Sequence, residues 1–280
     1  MHGEVLALTS AVCFGTSHFL SGVFSRRVNG LTVALYAQLG GTAVSLLVLP
    51  FATAAPFSAG AWAWAALSGV GTAVGVGFLF RAMGNGPMSV VVPLSDVGAV
   101  ALPVLIGLAF LGERPAPVAL AGIVLALPAI WLVSQGANNT DGTGSRGGIG
   151  HALIAGVGFA AHFLAISRIP VEAGLWPVAL SRIVSVLALL PMVAAGRAPW
   201  RLPGRSLGGV LAAGAIGTAA TLLYLAATHR QLMSVATVLA ALYPAIPVVL
   251  GLVLLSERVN RRQVAGLLFA GAAIAMLALK

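Results

Sequence analysis

The sequence predicts an all-α polytopic membrane protein with ten transmembrane helices arranged as two inverted five-helix repeats. Three observations carry that expectation. The 280 residues are 59% hydrophobic and only 8% charged, with 35 glycines, whereas water-soluble domains usually hold about 25% charged residues. Apolar blocks long enough to cross a hydrocarbon core about 30 Å thick recur along the whole chain. The second half repeats rare residues of the first half in register.

Cut at charges and at Gly, Pro and Asn clusters, the apolar blocks fall at 4–24, 32–52, 61–83, 88–111, 117–135, 151–168, 174–195, 206–228, 233–255 and 262–279. The first lacks the basic leading region of a cleaved signal and runs on to Phe24, so it reads as a spanning helix. It holds Cys13, the sole cysteine, which leaves no disulfide framework and no cysteine-based zinc site. The fourth block carries Pro93, Asp96 and Pro103. The ninth opens on the same Met-Ser-Val and places Pro247 where Pro103 falls. A proline frees backbone carbonyls that must face protein or water when the helix lies in lipid. Proline-interrupted segments at matching places in two halves point to a transporter's binding site. Between the fifth and sixth blocks, GANNTDGTGSRGGIG has a flexible linker's composition. The expected organisation is therefore a first repeat over 1–135, a linker over 136–150 and a second repeat over 151–280.

The halves match at an offset of 144 to 146 residues: His18-Phe19-Leu20 with His162-Phe163-Leu164, Gly71-Thr72-Ala73 with Gly217-Thr218-Ala219, Met88-Ser89-Val90 with Met233-Ser234-Val235, and Ala121-Gly122 with Ala265-Gly266. In a chain with five histidines and six acids, in-register matches at both His and Glu argue for duplication. Five helices is an odd number, so the second half enters the membrane from the opposite side. Two such halves around one central site can trade shapes and open that site alternately to either face.

A net charge of +9 could suggest nucleic acid, but the arginines stand singly or in twos and threes between apolar blocks. Basic loops that orient the chain in a bilayer explain them better. Ten of the arginines (26, 27, 81, 146, 197, 201, 205, 258, 261 and 262) fall in loops on one side, against Arg114, Arg168, Arg230 and Lys280 on the other. Taken alone, that bias puts both termini outside.

Two five-helix halves, each with a Pro-bearing fourth helix ending in Leu111-Gly112-Glu113-Arg114 or Leu255-Ser256-Glu257-Arg258 and followed by a Gly-containing fifth helix, resemble the EamA family of the drug/metabolite transporter superfamily. The resemblance covers essentially the whole chain. It implies a ten-helix carrier of amino acids, sugars, nucleotide-linked compounds or drugs, often an exporter in a bacterial inner membrane, and cytoplasmic termini, opposite to the arginine bias. It also implies an arginine in the second helix of each half. Arg182 meets this, but Gln38 stands at the matching place in the first half.

Asp96 is the one acid well inside a predicted span, where a charge costs roughly 2.5–3.5 kcal/mol on insertion scales. It reads either as a proton or substrate-ammonium site or as a neutral cap on the break after Pro93. Arg182 is the matching cation, suited to a carboxylate or phosphate, or to a bridge with Asp96. His18 and His162 hold equivalent places in the first helix of each half, as lining or as packing residues. Phe14, Tyr224 and Tyr243 are aromatic candidates for an apolar substrate, with ordinary packing as the alternative. Pro103 and Pro247 mark the repeated helix breaks, while Glu113 and Glu257 read as structural ends of the fourth and ninth helices. Two histidines without a nearby Cys or Glu do not make a metal site.

No His-Glu-x-x-His, Gly-x-Ser-Gly or Walker Gly-Lys-Ser/Thr occurs, which argues against a metalloprotease, an intramembrane serine enzyme and an ATP-driven pump. The expected partners are a small-molecule substrate and the lipid bilayer, with protons as a candidate coupling ion, no cofactor and no enzymatic activity. The leading reading is a secondary exporter of a small metabolite such as an amino acid. The alternatives are a membrane-embedded enzyme, a channel and a scaffold.

Overall fold

A computed structural model describes residues 2–51, 59–85, 88–134, 146–240, 242–243, 246 and 261–278. Pro247 and Glu257 lie outside the described residues, as does the Asp96 side chain. Among the described residues the chain is all helical: α1 His2–Ser25, α2 Gly30–Val48, α3 Ala59–Asn85, α4 Met88–Phe110, α5 Pro117–Ser134, α6 Arg146–Ser167, α7 Trp176–Ala195, α8 Gly204–Thr228, α9 Met233–Ala240 and α10 Arg261–Ala278, with two short 3-10 turns. Among the described residues six stretches, in α1, α2, α3, α6, α7 and α8, are long and apolar enough to cross a membrane. The last five residues of the expected linker are helical. Arg146 to Gly150 already form the first turns of α6, because a helix propagates more easily than it nucleates, even into glycines.

Local chemistry sets several helix ends. The Asn29 side chain accepts from Leu31 N–H at 3.0 Å and starts α2, an N-cap. Pro177 occupies the first turn of α7, where its missing N–H costs nothing. Gly112 sits at φ 67° after α4, a left-handed conformation that glycine tolerates, and the Glu113 N–H reaches back to Gly107 O at 3.1 Å. Glu113 itself then caps a helix of the other half. Its carboxylate accepts from Met233 N–H at 2.8 Å and Ser234 N–H at 3.1 Å at the start of α9, favourable both as hydrogen bonds and against the helix dipole. Pro103 is buried within α4.

The packing is pairwise and repeats itself. α1 lies on α8 as α3 lies on α6, α2 meets α8 as α7 meets α3, α1 meets α9 as α6 meets α4, and α2 with α7, α4 with α9 and α5 with α10 pair directly. Each contact maps onto another, or onto itself, when helix n is exchanged with helix n+5. Directions follow from individual contacts. Ser10 and Ser17 on α1 donate to Ala220 O and Ala213 O on α8, each at 2.7 Å, so these helices run antiparallel. Ser68 meets His162 while Phe78 meets His151, so α3 and α6 also run antiparallel. Gly69 packs on Ser181 and Gly77 on Met192, so α3 and α7 run parallel.

Lipid supplies no hydrophobic drive between helices, so small residues and hydrogen bonds must hold them together. A Cβ at Gly71 would meet Gly158 O and His162 N, both at 2.7 Å, and one at Gly158 would meet Gly75 N at 2.5 Å. The Gly71-x-x-x-Gly75 pair thus brings the backbones of α3 and α6 into contact.

Candidate functional site

These small-residue contacts draw α1, α2, α3, α6, α7 and α8 around a central cavity of about 40 Å³, enough for roughly two or three waters. Ser17, His18, Ser21, Gln38 and Thr72 line it from the first half, and His162, Arg182 and Thr221 from the second. Phe14, Phe80, Phe159, Phe163 and Tyr243 supply aromatic walls.

Arg182, 5% exposed, is oriented by neutral oxygens. Nη1 donates to Gln38 Oε1 at 3.1 Å, and Nη2 donates to Gly217 O at 3.1 Å and to Thr221 Oγ1. Thr221 in turn donates to Gly217 O. Gln38 occupies the position equivalent to Arg182, so the two matched residues meet directly. The buried Arg182 Nε has no hydrogen-bond partner among the described residues.

The two histidines differ. His162 Nδ1 lies 2.9 Å from both Ser68 Oγ and Thr72 Oγ1. Thr72 also donates to Ser68 O, and Ser181 Oγ donates to Ser68 Oγ at 3.1 Å, which ties α3, α6 and α7 together. The His18 ring packs edge-on against Tyr243 at 4.9 Å and against Phe80 at 6.1 Å, while its buried Nδ1 has no partner among the described residues.

Six of the residues singled out from sequence therefore share the cavity: Phe14, His18, Gln38, His162, Arg182 and Tyr243. Tyr224 does not line it. Its fully buried hydroxyl bonds to Phe163 O at 3.2 Å and Thr237 Oγ1 at 2.7 Å, and its ring braces Phe163 at 4.9 Å, because a buried phenol needs polar partners and finds them one layer behind the wall. No group of three His, Cys, Asp or Glu that could hold a metal occurs among the described residues.

The EamA-like transporter family matches residues 1–135 and again 146–279. The chain belongs to that family. It is thereby a membrane transporter of the drug/metabolite transporter superfamily, with small-molecule and lipid partners. A crystal structure described only as that of a "protein" is similar in fold to this EamA-like chain, with a TM-score of 0.76 over 99% of this chain and 96% of its own, at 18% identity. No curated protein matches.

Sequence reasoning missed the hydroxyls of this EamA-like transporter: Ser17, Ser68, Thr72, Ser181 and Thr221. Thr72 had a signal, since Gly71-Thr72-Ala73 recurs as Gly217-Thr218-Ala219. In the sequence that repeat marks duplication and carries no sign of the bond to His162.

Proposed function

We propose that the protein is a secondary active exporter of a small metabolite in the bacterial inner membrane, working by alternating access. In this reading two inverted repeats, residues 1–135 and 151–280, supply ten spans, with the fifteen or so intervening residues as their connection. The observation that carries it is the cavity itself: it lies between the halves and is lined by equivalent residues from both, His18 with His162 and Gln38 with Arg182. The antiparallel α1/α8 and α3/α6 pairs and the parallel α3/α7 pair are what inversion requires. Protons are the candidate coupling ion and Asp96 the candidate acid, as the acid well inside a predicted span.

Saturable counterflow in proteoliposomes tests the carrier. Amino acids loaded inside should accelerate uptake of the labelled species, and uptake that is linear in concentration would instead indicate a channel. An imposed pH gradient should drive accumulation in the wild type and not in Asp96→Asn. Equal pH dependence in the two removes the proton role.

A further inference from the structure

The transporter reading leaves the cargo's chemistry open, and the surroundings of Arg182 narrow it. We infer that the central site takes a small monocarboxylate with an apolar or aromatic body, its carboxylate held by Arg182. This rests on the proposal that the cavity is the transport site.

A guanidinium stays charged at neutral pH and offers five N–H donors. Three are used here, all on neutral oxygens of Gln38, Gly217 and Thr221, and the buried Nε is unpartnered among the described residues. Neutral oxygens orient a guanidinium but leave its charge uncompensated, and a buried charge without a counter-ion is costly. Among the described residues no carboxylate pairs with Arg182. An anion arriving with the substrate supplies the counter-charge that the described residues do not.

The rest of the cavity selects the body of the cargo. Phe14, Phe159, Phe163 and Tyr243 present ring faces and edges, surfaces that suit an apolar or aromatic group. A single guanidinium matches one carboxylate's charge, whereas a phosphate dianion would call for further donors. Gln38 at the position equivalent to Arg182 gives the pocket one cationic side, so the head group is fixed on α7 and α8.

Thermal unfolding of the purified full chain tests this without any transport step, with 3-phenylpropionate, phenylalanine, phenethylamine and phenyl phosphate as probes. The expected result is stabilisation by both carboxylates, little by phenyl phosphate and none by phenethylamine. In Arg182→Gln the carboxylate affinity should fall by about thirtyfold or more, the loss that follows removal of one partner of a buried charge pair. If that variant does not fold, Arg182→Lys replaces it, and it should keep the preference for carboxylates over phenethylamine at reduced affinity. Stabilisation by phenethylamine equal to that by the carboxylates overturns the inference, as does the absence of a shift with either carboxylate. So does carboxylate binding that develops only in Asp96→Asn, because Asp96 would then be the resident counter-ion. Carboxylate binding without counterflow would sink the carrier and leave the anion site standing. Counterflow of phenethylamine alone would do the reverse.

Discussion

The two sides of the cavity are built from matched positions and held by different chemistry. Around His162, the hydroxyls of Ser68, Thr72 and Ser181 link α3, α6 and α7. The matched positions around His18 are Gly214, Thr218 and Ala37. Two of the three hydroxyls are gone, and in their place a Cβ at Gly214 would collide with Ala37 O, so α2 and α8 touch backbone to backbone. The residues left from the polar set, His18 and Thr218, have a buried Nδ1 and a buried Oγ1 without a partner among the described residues. One side thus adds hydroxyl bonds to its close glycine contacts, and the other relies on close contact at these positions. Duplication preserved the geometry of the helices and left the means of holding them together free to diverge.

The largest effect should come from forcing one side to imitate the other. Gly214→Ser installs the hydroxyl found at Ser68, but its Cβ has only backbone in front of it, and no rotamer relieves that. We expect a loss of about 3 kcal/mol, at the upper end for overpacking, measured as unfolding in mixed micelles. The reverse exchange, Ser68→Gly, has no such collision and should cost about 1 kcal/mol through lost hydrogen bonds. Equal losses in the two would mean that the α2/α8 contact yields, and the contrast between the seams would fail.

The matched threonines come next. Thr72→Val removes one of the two hydroxyls at His162 Nδ1 and leaves Ser68 Oγ in place there, so it should cost about 0.5–1.5 kcal/mol. Thr218→Val removes a hydroxyl that has no partner among the described residues, so its stability should change by less than about 0.5 kcal/mol or rise slightly. If the halves trade shapes during transport, His18 and Thr218 form the bond now held by His162 and Thr72. Thr218→Val should then slow counterflow although it folds as well as the wild type. Full transport by Thr218→Val would show that the polar seam stays on one side throughout the cycle.

Much of this architecture was legible because membrane helices announce themselves. The apolar blocks at 88–111, 117–135 and 206–228 became Met88–Phe110, Pro117–Ser134 and Gly204–Thr228, since charges and Gly/Pro clusters stop a buried helix at the lipid boundary. His18, His162, Gln38 and Arg182 were legible for another reason: rare polar residues at matched places in apolar helices have few tolerable surroundings besides a shared interior. Which way a side chain faces was not legible. Helices apolar all round have no polar stripe to mark the cavity side, so Tyr224 and Tyr243 looked equivalent and only Tyr243 reached the wall. Hydroxyls were opaque for a related reason. Thr9, Thr42 and Ser45 bond to carbonyls four residues back in their own helices, and nothing in the sequence separates them from Ser68 or Ser181, which reach across to another helix.

The smallest expected effect concerns what secures the close-packed side in place of a network. Ser10 and Ser17 each donate to a carbonyl of α8, at Ala220 and Ala213. Those carbonyls also belong to the helical ladder of α8, so losing a serine does not orphan them. Interhelical hydrogen bonds in membranes average about 0.6 kcal/mol, and Ser10→Ala should cost about that much, with the cavity wall untouched. The two serines lie about two turns apart on α1, far enough for Ser10→Ala and Ser17→Ala to add within about 0.3–0.5 kcal/mol in the double variant. A double loss well beyond the sum would mean that the serines set the register of α1 on α8 jointly. The His18 side would then be a bonded seam too, with its polar groups moved from the α8/α2 contact to the α8/α1 contact.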